Sequence, residues 1–192
     1  MKFILNDFPN DAAFQPGEAW TPLKESDNMW MVQLQAVPFM IINVAVAVAL
    51  MRLIGISFSL NSISMLLSFL IFIPVHEVIH ALFFPGNLKS DNVYFGFILK
   101  SFAFFAAYLG EMKRNTFISV LLAPFIIITM AGLLYLFLAG SNSLVEHIVV
   151  FNALGACADC LGVYLVLKQV PRHAMVRNKK IRTYWRLAES AA

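Results

Sequence analysis

Charge is scarce in this chain. Only 13% of its 192 residues are Asp, Glu, Lys or Arg, against 60% hydrophobic ones, a balance that excludes a soluble globular domain and describes a polytopic membrane protein. Cysteine is scarcer still. Cys157 and Cys160 are the only two, and their C-x-x-C spacing falls in an apolar stretch, where small buried residues explain them better than redox or metal chemistry. No internal repeat or low-complexity linker is present. The apolar start MKFIL is too short for a secretory signal, so no cleaved leader is expected. The length allows one compact membrane domain without a sizeable extramembrane one.

Four segments are long and apolar enough to span a bilayer, at about residues 37–53, 62–84, 116–139 and 144–167. Residues 29–32 are able to extend the first. Asn61 or Ser62 offers an N-cap to the second, and Pro85-Gly86 stops it. A tight turn at Gly140-Ser141-Asn142-Ser143 makes the last two antiparallel neighbours. Residues 93–110 are apolar and aromatic but interrupted by Lys100. Their Val, Tyr and Phe favour an extended hairpin turning near Lys100-Ser101 over a fifth helix. The expected fold is therefore an all-α polytopic membrane protein of about four transmembrane helices, with a short membrane-associated β-hairpin or re-entrant segment between the second and third.

Basic residues set the expected orientation. Lys168, Arg172, Arg177, Lys179, Lys180, Arg182 and Arg186 follow the last span with no acidic residue among them. They read as a cytoplasmic topology anchor with affinity for anionic lipid, and no nucleic-acid partner is expected. Both termini then lie in the cytoplasm of a multi-pass cell-membrane protein. The division is an N-terminal segment at 1–30, a membrane-embedded catalytic domain at 31–168 and a basic tail at 169–192. Glu111 with Lys113 and Arg114 reads as an interfacial charge cluster, and His147 and His173 as ordinary surface residues.

The chemistry is concentrated in His76-Glu77-Val78-Ile79-His80. Histidines four apart on a helix differ by about 40° and one turn, so both imidazoles can grip one Zn²⁺. Glu77, on nearly the same face, is placed to take a proton from water activated at the metal. These residues lie within ISMLLSFLIFIPVHEVIHALFF, residues 63–84, where an ionisable group costs about 2.5–3.5 kcal/mol at mid-bilayer on insertion scales. One catalytic zinc compensates all three.

Catalytic zinc takes three protein ligands, and apart from Glu77 itself Asp159 is the one carboxylate deep in a helix. With the second and fourth helices running in the same direction, the centre of HEVIH lies roughly 24 Å from its helix start and Asp159 roughly 22 Å from its own. Asn152, Ala156, Asp159 and Val163 form one stripe flanked by Gly155 and Gly162, small residues that let the fourth helix approach the second. Asn152 lies about 10 Å further along the axis. It either holds a substrate carbonyl or bonds across helices, and it ligates the metal directly only if the helix breaks near Gly155.

HEVIH, then LLAPFIIITMAG at 121–132, then FNALGACADC at 151–160 resemble intramembrane zinc metalloproteases of the site-2-protease type. More narrowly, the chain resembles the short prokaryotic membrane proteins called putative zincin peptidases, over roughly residues 20–167. The resemblance implies zinc on His76, His80 and Asp159, a catalytic base at Glu77 and a membrane-associated hairpin around 93–108. Where the better-known branch carries Asn followed by Leu-Asp-Gly, this chain has Ala158-Asp159-Cys160, so that branch's substrate rules do not transfer. The expected activity is zinc-dependent intramembrane endopeptidase action on a transmembrane or membrane-proximal peptide. A non-catalytic zinc-binding membrane regulator and a metal transporter are the alternatives. Oligomeric state is not legible.

Overall fold

The computed structural model describes residues 1–99 and 103–188. Four helical runs in it are long and apolar enough to cross a membrane. They are α1 (Met29–Leu53), α2 (Ser62–Phe83), α3 (Arg114–Ala139) and a fourth made of two pieces, α4 (Ser143–Gly155) and α5 (Cys157–Gln169). Asparagine starts three of them. The side chains of Asn28, Asn61 and Asn142 accept hydrogen bonds from Trp30 N, Ser64 N, and Leu144 N and Val145 N, taking up donors that a helix start leaves orphaned. α1 includes residues 29–32, and α2 ends just before Pro85-Gly86.

The bundle is apolar outside and polar inside. Leu34, Ile41, Leu66, Leu70, Met130 and Leu138 are exposed, whereas Asn43, Ser68, Thr129 and Asn152 are buried, as expected where lipid is the solvent and polar groups must find partners within. Small residues bring the last span close to two neighbours. A Cβ on Gly155 would stand 3.1 Å from the Phe72 ring of α2, and one on Gly162 the same 3.1 Å from Leu121 of α3. Gly162 thus serves contact with α3 rather than with α2.

The chain is not all-α, because two sheets gather at the end of the bundle where α1 and α3 begin and α2 and α5 end. Strands β3 (Val93–Ile98) and β4 (Ala103–Tyr108) pair antiparallel, and β1 (Lys2–Leu5) joins β3 in parallel, giving the order β1-β3-β4 with β4 at an edge. The expected hairpin is therefore present and a fifth helix is not; its turn near Lys100-Ser101 lies outside the described residues. β1 was not expected, since a four-residue strand pairing about ninety positions away leaves no local signal. The second sheet has the order β2-β7-β6-β5, from β2 (Thr21–Pro22), β5 (Met112–Lys113), β6 (Ala174–Lys179) and β7 (Arg182–Leu187).

The basic tail thus folds back as a hairpin, and several of its cations face the acidic residues of the first thirty and of residue 111. Arg177 lies 2.6 Å from Asp11, Arg186 lies 3.0 Å from Glu111, and Arg182 pairs with Asp27. Protein carboxylates, rather than lipid alone, partner these arginines. Glu111 belongs to this network, and Arg114 is buried at the start of α3. At the opposite end of the bundle His147 is fully buried, its ring 5.0 Å from that of Phe58 and its Nδ1 bonded to Ser143 O. It is no surface residue, because the loop before α2 folds over it. That loop is tied to buried Glu146, which accepts from Ser59 N and Ser59 Oγ at 3.2 Å and from Ser141 Oγ at 2.6 Å.

The segment after β2 runs along β7. Leu23 N donates to Thr183 O at 2.8 Å, and Glu25 Oε1 accepts from Thr183 N at 2.5 Å. Burial pushes the Glu25 carboxyl from 4.5 up to about 7, against the lowering pull of its bonds to Thr183 and of Arg182. A carboxyl raised on folding favours the docked segment most below its unfolded value and loses that contribution as pH rises through its folded one. Exchange protection of the Thr183 amide, corrected for intrinsic rates, is therefore expected to fall between about pH 4.5 and 7. Protection that stays flat in the wild type, or falls equally in Glu25→Gln, would refute this.

Candidate metal centre

α2 sorts HEVIH by its own geometry. At about 100° per residue, His76 and His80 turn inward while Val75 and Val78 face out; the histidines are 6% and 5% exposed and the valines 43% and 41%. Asp159 reaches the same place through a break. α4 stops at Gly155 and α5 starts at Cys157, which puts Asp159 in the first turn of a new helix, where the helix dipole favours an anion. The break has a partner waiting on α1. Asn43 Nδ2 donates to Ala153 O at 3.3 Å and lies 3.4 Å from Cys160 Sγ, so the cysteine points to α1 and away from His76 and His80.

Three donor groups converge. His76 Nε2 lies 3.1 Å from Asp159 Oδ2 and His80 Nε2 lies 3.5 Å from Asp159 Oδ1, and the donor atoms of the trio all lie within 4.8 Å of one another. The far side of each ring fixes its tautomer. His80 Nδ1 faces Val120 O at 2.8 Å, an acceptor only, so Nδ1 carries the proton. His76 Nδ1 faces Asn152 Oδ1 at 2.9 Å, and the Asn152 amide is oriented by donating Nδ2 to Pro124 O at 3.3 Å, Phe125 O at 3.4 Å and Thr129 Oγ1 at 3.4 Å.

Both Nε2 atoms therefore present lone pairs to a carboxylate, an arrangement that repels itself unless a cation lies between. Protons or a metal ion can fill that role. Tetrahedral zinc with ligand bonds of about 2.0–2.2 Å separates its donors by roughly 3.4 Å, close to both distances found. Two imidazoles held by outer acceptors and one carboxylate fit zinc in donor type, spacing and supporting bonds.

Asn152 is fully buried with both ends of its amide engaged, its Oδ1 on His76 Nδ1, an arrangement suited to orienting that ring. The position of Asn152 in the last turn of α4, just before the break and against the His76 imidazole, follows from that break. Asn152→Leu is expected to weaken zinc affinity about 10- to 100-fold, read by competition with a chromophoric chelator. Unchanged affinity would remove the orienting role.

Glu77 stands beside the trio. Its Oε2 accepts from Ala106 N of β4 at 2.6 Å, and its Oε1 has no hydrogen-bond partner among the described residues. Since Ala106 lies opposite Phe95 in the β3–β4 register, an N–H directed at Glu77 points off the free edge of β4. Glu77 borders two hollows. A cavity of about 370 Å³ holds His76, His80 and Asp159, with Phe104, Phe105 and the hairpin residues Asn178 and Lys180 in its walls. A cleft of about 480 Å³ on the other side is lined by apolar groups, including Pro74, Val78, Phe95 and Phe104. The contributions of Val120, Ala106 and Asn43 had no sequence signal, because two act through the backbone and the third serves a helix break.

Residues 69–175, which run from within α2 through β3, β4, β5, α3, α4 and α5 to the first two residues of β6, match the model of the family described as putative zincin peptidase. No curated protein and no solved structure matches the chain.

Proposed function

Because the chain belongs to the putative zincin peptidase family, we propose that it is an intramembrane endopeptidase, hydrolysing peptide bonds within or beside the bilayer. The observation that carries this reading is the shared cavity: His76, His80 and Asp159 converge at one wall and Glu77 stands next to them under the free edge of β4. The two histidines and the aspartate would hold the metal. When bound, zinc supplies Lewis acidity, polarising a carbonyl and acidifying water.

The remaining steps fall to side chains and backbone. Ala106 N–H holds Glu77 Oε2, leaving Oε1 to take a proton from the attacking water. As water oxygen bonds to the scissile carbon and the C–N bond breaks, the same carboxyl returns the proton to the departing amine. A helical substrate hides its carbonyls in hydrogen bonds and must be extended first. Pairing with the edge of β4 holds it so, and the apolar cleft beyond Glu77 accepts side chains arriving from lipid.

The test is cleavage of a bilayer-embedded reporter peptide by protein reconstituted in liposomes. Activity is expected to disappear on chelation and return with added Zn²⁺. Cleavage that persists in stripped protein, or no cleavage of any embedded peptide by zinc-loaded protein, would count against the reading.

A further inference from the structure

Most of the β6–β7 hairpin, from Val176 onward, lies beyond residues 69–175, yet its tip lines the proposed catalytic cavity. Asn178 at the end of β6 and Lys180 in the turn both line the hollow that holds His76, His80 and Asp159. The neighbouring cations of the hairpin have partners: Arg177 with Asp11, Arg182 with Asp27, Arg186 with Glu111, and Lys179 with Gln15 at 2.8 Å. Among the described residues Lys180 has no ion pair or hydrogen bond to protein, and it is the one Lys or Arg in the cavity wall. Its backbone is unusual too. Lys180 adopts φ 53°, a left-handed turn conformation that Gly or Asn takes at less cost, so hairpin geometry alone does not call for lysine. Beside it, Asn178 Oδ1 is buried without a hydrogen-bond partner.

We propose that Lys180 and Asn178 form a substrate subsite, in which the Lys180 ammonium pairs with a substrate carboxylate and Asn178 accepts an N–H from the same peptide. The inference rests on the peptidase reading and adds a preference for substrates whose reactive stretch is flanked by negative charge. The carboxylate comes from an acidic side chain or from a free peptide C-terminus. A carboxylate in this cavity near Lys180 gains the pairing that the neighbouring arginines already have, whereas a substrate lysine there meets like charge.

Quenched-fluorescent peptides sharing one apolar segment and blocked ends, with flanking residues Asp, Asn or Lys, test this on zinc-loaded full-length protein. A fourth peptide carries Asn flanks and a free C-terminus, separating the two carboxylate sources. The Asp-flanked or free-acid peptide is expected to exceed the Lys-flanked one in kcat/KM by about fivefold. That ratio should collapse in Lys180→Ala and invert in Lys180→Glu, but persist in Arg172→Glu, which makes the same charge change away from the cavity. Equal cleavage of all four peptides, or a ratio that survives Lys180→Glu, overturns the subsite and leaves the peptidase intact. Should nothing be cleaved, the peptidase reading falls, and fluorescence anisotropy of the same peptides decides the subsite. An affinity ratio that inverts in Lys180→Glu upholds it, and equal affinities overturn it.

Discussion

Glu77→Gln is expected to lower the rate of peptide cleavage by about 10²–10⁴-fold, the usual contribution of a positioned general base, while zinc stoichiometry stays at the wild-type value. The substitution keeps the side chain's size and keeps an oxygen to accept from Ala106 N, so the local fold has no reason to change. What disappears is the ability of Oε1 to hold a proton between water and amine. A non-catalytic zinc-binding regulator makes the opposite prediction, since it has no use for a basic residue beside the ligands. Equal cleavage by wild type and Glu77→Gln would remove the mechanism, and metal analysis of the same samples shows whether any loss came from the site or from the base.

Asp159→Ala is expected to reduce bound zinc from about one per chain to near zero after dialysis, because a three-ligand site cut to two imidazoles loses its only charge-balancing group. Asp159 lies against both histidines, at 3.1 Å and 3.5 Å, so its removal also eliminates the negative partner shared by the two rings. Metal content measured alongside His76→Ala and His80→Ala gives the comparison. Full zinc retention in Asp159→Ala would reassign the third ligand. A transporter reading predicts something different for the wild type itself, namely rapid exchange of bound metal and flux into vesicles.

The centre was readable where chemistry conflicts with its surroundings. His76, Glu77 and His80 stand out because the bilayer makes unpartnered polarity expensive, and Asp159 followed by the same logic and by depth. A break near Gly155 was legible only as a condition, because an interruption supported by Asn43 from another helix depends on a contact across about 110 residues. The role of Asn152 stayed open with it.

The second sheet was missed for another reason. In residues 174–187, Ala174 and Val176 alternate with Met175 and Arg177, and Thr183, Tyr184 and Trp185 follow the Lys180-Ile181 turn. This pattern suits strands, yet its charge density suggested lipid first. Two of the partners that absorb that charge, Asp11 and Asp27, lie some 160 positions earlier, and Glu111 lies 75 positions earlier, all beyond the reach of any local pattern.

The strand order of that second sheet also bears on biosynthesis. Its β2 waits for β7, about 160 residues later, and the cavity wall needs Asn178 and Lys180 from the same late hairpin. A nascent chain emerging as far as Gln169 already contains His76, Glu77, His80 and Asp159 but neither β6 nor β7. Order of synthesis therefore makes the residues of the donor set available before the hairpin that completes the cavity wall.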